Sequence, residues 1–326
     1  ISAQGANDAG SLHIWQSSAA PSDTVLGLVT SMASDLDSGS YTLSMNVKGV
    51  FYNTEGFYVR TSTDLVNWSE PQMAFRAIDA WGEGKFWAPE VVFHEGKFVM
   101  HYSAKSRKHQ SLRIGVAVAD SPLGPFRDVH GKPMFDLGYA TIDGSVLRCE
   151  QGNFLYYSRD CSENIIDGIK TSQLYCVRLN ADLTEAVGEH VLVCTPTEPF
   201  ERLSLFSKTV KSKVVWNEGP YVIGMDDGFV MNYSANHYAS NDYAICLATS
   251  QSPVGPWEKA KNNPVLSRNS QLFGAGHNAF FTDKNGDLYT VFHIQTDPGN
   301  PGPDRRMVIG KVEFYRDQRT LCQRIL

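Results

Sequence analysis

The chain has 326 residues, 42% of them hydrophobic and 11% aromatic, with a net charge of −6 and a pI near 5.9. That length holds one large domain or two ordinary ones. No Lys/Arg cluster stands out, so no nucleic-acid partner is expected, and a neutral polymer such as a polysaccharide suits the charge better. No apolar run approaches the ~18 residues of a membrane span, so none is expected.

The first residues lack Met and a charged segment followed by an apolar one, which reads as a processed, trimmed or engineered start. A secreted or periplasmic location is favoured over a cytoplasmic one. The six cysteines have no zinc-site spacing and read mostly as buried free thiols.

Residues 1–39 are Ser/Ala-rich without alternation. They read as an extended lead-in with one strand near Thr24 to Thr30. From residue 40 to 326 short runs of Val, Phe, Tyr and Thr alternate with Gly, Pro, Asn and Asp, an all-β pattern. One hairpin signature recurs, with turn glycines at Gly49, Gly96, Gly152, Gly228 and Gly286. Each follows an apolar strand and precedes an aromatic-rich one, where a tight turn needs a positive φ. The spacing leaves room for about four short strands per unit.

A second set of turns supports the repeat: Ser62-Thr63-Asp64-Leu65-Val66-Asn67-Trp68, Asp120-Ser121-Pro122-Leu123-Gly124-Pro125-Phe126 and Ser250-Gln251-Ser252-Pro253-Val254-Gly255-Pro256-Trp257. Five units predict a five-bladed β-propeller. A β-sandwich with coincidental turns is the alternative.

In a propeller the first strand of each blade lines the central channel. Counting back about six to ten residues from the turn glycines should therefore reach one rim. The count gives Glu90, Asp143, Glu218 and His277 in successive units, and Ser40 in the first. Acidic residues are depleted in strands, so three carboxylates at one rim ask for a reason. Two carboxyl groups flanking a glycosidic bond can act as acid and base. Glu218 is the expected acid, and Asp143 nearby would supply a charge that keeps it protonated.

Glu90 reads equally as a carboxylate bonding strand-end amides. Trp87 suits stacking on a sugar face. Arg159 and Arg306, in the pairs Arg159-Asp160 and Arg305-Arg306, could clamp hydroxyls or pair on the rim. His277 reads as a core histidine, a sugar contact or a cation ligand. HxxxH and GxSxG are both absent, which argues against a zinc hydrolase and a serine esterase.

Together Phe86-Trp87-Ala88-Pro89-Glu90-Val91, Ile142-Asp143-Gly144, Asn217-Glu218-Gly219-Pro220, Ser252 to Trp257 and Gly276-His277-Asn278 resemble glycoside hydrolase family 43 over about residues 40 to 315. The resemblance implies a five-bladed propeller. It also implies an inverting, exo-acting α-L-arabinofuranosidase or β-xylosidase on plant polysaccharide. Glu218 would be the general acid, Asp143 its tuning and orienting partner, and Glu90 a supporting residue. His277 would match the family's channel histidine, often associated with calcium through water; no other cofactor is implied.

One feature departs from the family. Its general base is an Asp, usually before Pro, at the start of the first inner strand, where Ser40 falls here. Asp37 is the first substitute, with Asp23 as another. Loss of the base would leave a weak enzyme or a silent carbohydrate-binding propeller.

Overall fold

The computed structural model describes residues 54–206, 213–283, 285–302, 304–317 and 320–326, with the backbone of three short strands ahead of residue 54. Ala3–Gln4 (β1) is two residues long. Five antiparallel meanders follow along the chain. The first is β2 (Ser34–Asp35), β3 (Ser40–Met45), β4 (Gly56–Ser62) and β5 (Gln72–Arg76). The second is β6 (Trp87–His94), β7 (Lys97–Lys105), β8 (Leu112–Ala119) and β9 (Arg127–Asp128).

The third opens with β10 (Thr141–Cys149) and β11 (Gly152–Arg159). It is interrupted by β12 (Ile165–Ile166) and β13 (Ile169–Thr171), then closes with β14 (Gln173–Leu179) and β15 (Ala186–Cys194). β16 (Val214–Val215) pairs parallel with β13 and makes a small separate sheet with β12. The fourth meander is β17 (Asn217–Met225), β18 (Gly228–Ala235), β19 (Ala244–Ser250) and β20 (Glu258–Lys259), with β1 paired to β17. The last is β21 (Gly276–Thr282), β22 (Leu288–Gln295), β23 (Arg305–Asp317) and β24 (Thr320–Ile325).

The core lies between successive meanders. Phe57 and Phe75 of the first pack on Phe86 and Tyr102 at the second, and Val99 and Ile114 pack with Leu155 and Tyr157. Leu147 and Phe154 likewise meet Val222 and Met231, and Ile223 meets Phe280 and Val312. The second, third and fourth meanders thus bury both faces against their neighbours, the packing of propeller blades. All six cysteines are free thiols.

The first strand of meanders two to five carries the same defect. The ladder breaks between Trp87 and Glu90, Ile142 and Ser145, Glu218 and Tyr221, and Gly276 and Ala279. At each bulge one residue is left-handed: Ala88 at φ +42°, Asp143 at +59°, Gly219 at +56° and His277 at +49°. A bulge takes that residue's N–H out of its own ladder, and a buried N–H needs a partner.

A serine of the preceding meander supplies it in three cases. Ser103 Oγ accepts from Asp143 N at 3.1 Å, Ser158 Oγ from Gly219 N at 3.2 Å, and Ser234 Oγ from His277 N at 2.6 Å.

This register corrects two expectations. The four rim residues are not equivalent: Asp143 and His277 are the left-handed residues, Glu218 precedes its own, and Glu90 lies two beyond Ala88. Nor is Ser40 a rim residue. It pairs with Asp35, and the Ser62 to Trp68 turn between β4 and β5 matches the Asp120 to Phe126 turn between β8 and β9. β3 is therefore the second strand of its meander, and the glycine that stands in sequence between β2 and β3 is Gly39.

Candidate active site

Glu218 and Trp87 occupy the same bulge position in neighbouring inner strands but one. Glu218 is 8% exposed, and Tyr243 donates its hydroxyl to Glu218 Oε1 at 2.9 Å. Burial pushes the Glu218 carboxyl well above the usual carboxylate range, and the charge of Asp143 adds to it. The Tyr243 hydrogen bond and the Arg305 charge oppose the shift without cancelling it.

Asp143 is held beside it from the third meander. Its Oδ2 accepts from Gly219 N at 3.2 Å and from Ser158 Oγ at 3.3 Å. The residue after the acid is therefore bonded to the neighbouring carboxylate. Asp143 is itself pushed up to about 7, chiefly by burial; the Gly219 amide and Ser158 hydroxyl pull it down and Asp160 pushes it up. The two carboxyls titrate as a pair, and the higher affinity for the proton lies with Glu218.

Gly219 is required here for space as well as for φ. A Cβ on it would stand 2.9 Å from His277 Cγ. His277 is buried under it, and burial plus the Arg305 charge lowers its pKa to about 3, so the ring is neutral. Arg305 is 4% exposed, and its Nη1 lies 2.7 Å from His293 Nε2. Its guanidinium sits 4.9 Å from the Tyr238 ring centroid, and its Nε has no partner among the described residues. A buried guanidinium in a carboxylate site supplies a fixed positive charge beside the acid.

The remaining sequence candidates separate. Trp87 is half-buried, with Lys85 Nζ 5.6 Å from its ring centroid. Arg159 lies 4.2 Å over the Tyr139 ring. Arg306 is exposed, because side chains alternate along β23 and Arg305 takes the inner face. Glu90 is buried deeper, where Glu90 Oε1 accepts from Val146 N at 2.7 Å; burial pushes its pKa up to about 8. This is the amide-bonding role, between inner strands. Asp37 and Asp23 lie outside the described residues.

Calcium takes roughly six to eight oxygen ligands. The Arg305 guanidinium brings a positive charge to bear on His277, and no group of three His, Cys, Asp or Glu that could hold a metal ion exists among the described residues. The residues present do not fit a cation at His277.

Two site residues, Tyr243 and Ser158, are not singled out by the sequence, and of the Arg305-Arg306 pair it is Arg305 that reaches the site. Tyr243 sits in no motif. Ser158 had a visible signal: Tyr102-Ser103, Tyr157-Ser158 and Tyr233-Ser234 form a repeated dipeptide in the second strand of three successive meanders.

An all-β propeller with a buried, mutually coupled Glu–Asp pair at the mouths of adjacent inner strands has the acid half of a glycoside-cleaving site. The chain belongs to Glycosyl hydrolases family 43, whose sequence profile matches residues 37–319, and it is a glycoside hydrolase. Among solved structures it resembles a thermostable family-43 glycoside hydrolase, with 37% identity and a TM-score of 0.77 over 87% of this chain and 89% of that one. It also resembles a Bacteroides thetaiotaomicron protein described as an endo-1,4-beta-xylanase, with 28% identity and a TM-score of 0.71 over 93% of each chain.

A "Xylosidase/arabinosidase" of Bacteroides ovatus is 25% identical over 68% of this chain and 70% of its own length. An "Arabinoxylan arabinofuranohydrolase" of Paenibacillus polymyxa is 27% identical over 73% of this chain, which spans only 38% of that protein. No helix among the described residues is long and apolar enough to cross a membrane.

Proposed function

We propose that the protein is an inverting, exo-acting hydrolase that removes terminal α-L-arabinofuranosyl or β-D-xylosyl units from plant polysaccharide or oligosaccharide. The observation that carries this is the bond from Gly219 N to Asp143 Oδ2 beside the raised Glu218 carboxyl. Glu218 holds its proton near neutrality and gives it to the leaving oxygen as the glycosidic bond breaks. Asp143 keeps that proton in place by its charge and orients the acid through Gly219. Arg305, with His277 beneath Gly219, faces the sugar that sits against the pair. Trp87 offers a ring face at the mouth, and Arg159 a cation at the third meander.

The relatives' names support a pentose substrate. An extracellular exo-alpha-(1->5)-L-arabinofuranosidase of Cellvibrio japonicus, 23% identical over 75% of this chain, agrees with exo action and a secreted location. Similarity to a protein described as an endo-xylanase makes exo action the point to test. Release of monosaccharide alone from arabino- and xylo-oligosaccharides, with the inverted anomer seen first by proton NMR, is the expected result. A ladder of oligosaccharides from polymer would overturn the exo reading.

The base favours a second reading. The left-handed rim residues stand eight or nine residues before their turn glycines, which from Gly39 reaches Thr30 and Ser31. Neither can activate water at neutral pH, and the family match begins only at residue 37. A binding propeller with weak turnover is the reading this favours. No hydrolysis of aryl α-L-arabinofuranoside or aryl β-D-xyloside, with sugar binding retained, would establish it.

A further inference from the structure

Asp160 is a third carboxylate at the site, and none of the roles above uses it. It follows β11 with φ −69° and ψ 143°, and its N–H donates to Ala140 O at 2.9 Å. The chain therefore continues the extended path of β11, where alternate residues share a face. Ser158, two residues earlier, is the hydroxyl bonded to both Asp143 and Gly219. Asp160 stands on that face one step of about 7 Å further along. On the other side it adjoins Cys161, which packs with Val214 and Trp216 on the run that leads into Glu218.

Its visible partners are local. Asp160 Oδ1 accepts from Ser162 N at 2.9 Å and caps a three-residue 3-10 turn. The neighbouring Arg159 is turned away over Tyr139. Among the described residues no Lys or Arg forms a salt bridge with Asp160. A cap needs an acceptor oxygen but no charge, and Asn caps as well as Asp. The unneutralised charge beside two other carboxyls is therefore what calls for an explanation, because like charges in one site oppose each other.

We propose that Asp160 is a positioning carboxylate for the glycosidic step: its charge, one strand step from Ser158, holds the acid's proton on the Asp143–Glu218 pair until the leaving oxygen takes it. This rests on Glu218 as the general acid. The groups facing the pair are Asp160 and the Cys161 thiol from the third meander, Tyr238 and Tyr243 from the fourth, and His277, His293 and Arg305 from the fifth. Burial keeps both histidines neutral, so Arg305 is the one positive charge among them. Asp160 pushes both Asp143 and Glu218 upward and so works against Arg305.

The test is Asp160→Asn in the full chain, which keeps the cap and deletes the charge. Two quantities are read: the pH dependence of kcat/KM on an aryl pentoside with a poor leaving group, and the carbon-13 carboxyl titration of the substrate-free protein. The expected result is a move of the basic limb and of the pair's titration to lower pH by about half a unit or more. Asp160→Glu should restore both. An unmoved titration in Asp160→Asn overturns the proposal, whatever happens to the rate. If the wild type cleaves no pentoside, the reading of the function falls, and the titration still decides the role of Asp160.

Discussion

Gly219 N donates to Asp143 Oδ2 at 3.2 Å, so the two site carboxylates are joined through the backbone of the residue that follows the acid. Removing the acid should leave that joint in place. Glu218→Ala should lower kcat on natural glycosides by about 10²- to 10⁴-fold, the usual value of general acid catalysis. It should spare aryl pentosides with very acidic leaving groups, which need no proton. Equal losses on both substrate types would remove Glu218 from the role.

Asp143→Asn should shift the basic limb of kcat/KM. Asn tolerates the left-handed φ of +59° at this position, so the backbone should hold. Deleting the negative charge lowers the pKa of Glu218, so the acid loses its proton earlier as pH rises. Activity should therefore fall off at lower pH than in the wild type. A pH–rate profile with an unmoved basic limb would show that Asp143 does not tune the acid.

Glu90 gives a prediction about stability. Below about pH 4 its carboxyl is protonated in both states and contributes no pH dependence. As pH rises the unfolded chain releases its proton, while the native state keeps it up to about 8. The native state then binds more protons, so this group makes stability fall with rising pH across that window. Glu90→Gln should flatten the fall and gain about 2 kcal/mol relative to wild type at pH 8. Urea unfolding at pH 5 and pH 8 checks the sign.

Gly219→Ala combines a left-handed φ with a Cβ 2.9 Å from His277 Cγ. A cost of about 1–3 kcal/mol is expected from the backbone alone, with displacement of the ring besides. A wild-type melting temperature with wild-type activity would refute the tight fit.

Asp37→Ala should keep activity near the wild-type level. In the four meanders whose rims are described, the rim residue begins the inner strand and never lies in the turn that ends it. In sequence Asp37 falls between β2 and β3, two residues before Gly39. A loss of several orders of magnitude, partly restored by azide, would make Asp37 the base after all.

The turn glycines Gly96, Gly152, Gly228 and Gly286 made the all-β repeat legible, because tight hairpins admit few residue types. Glu218 and Asp143 were legible for the same reason, since carboxylates are conspicuous in strands. The first unit misled. Gly49 looked like a turn glycine because Lys48-Gly49 precedes Phe51-Tyr52, yet Gly39 sits between the paired Asp35 and Ser40. A one-strand slip of this kind preserves local propensity and is invisible without pairing. Arg305 and Arg306 differ only in which face of β23 they take, and sequence alternation alone does not settle that at a strand's first residue.

The serines that meet the bulges make injury to this protein directional. Ser103 and Ser234 each steady a residue of the following blade, while Ser158 joins Gly219 of the following blade to Asp143 of its own. A lesion in the third blade's second strand should thus be felt at the acid in the fourth, and one in the fourth at His277 in the fifth. Part of the damage therefore passes one way round the ring, from each of these serines to the blade downstream, and at Ser158 it reaches both site carboxylates at once.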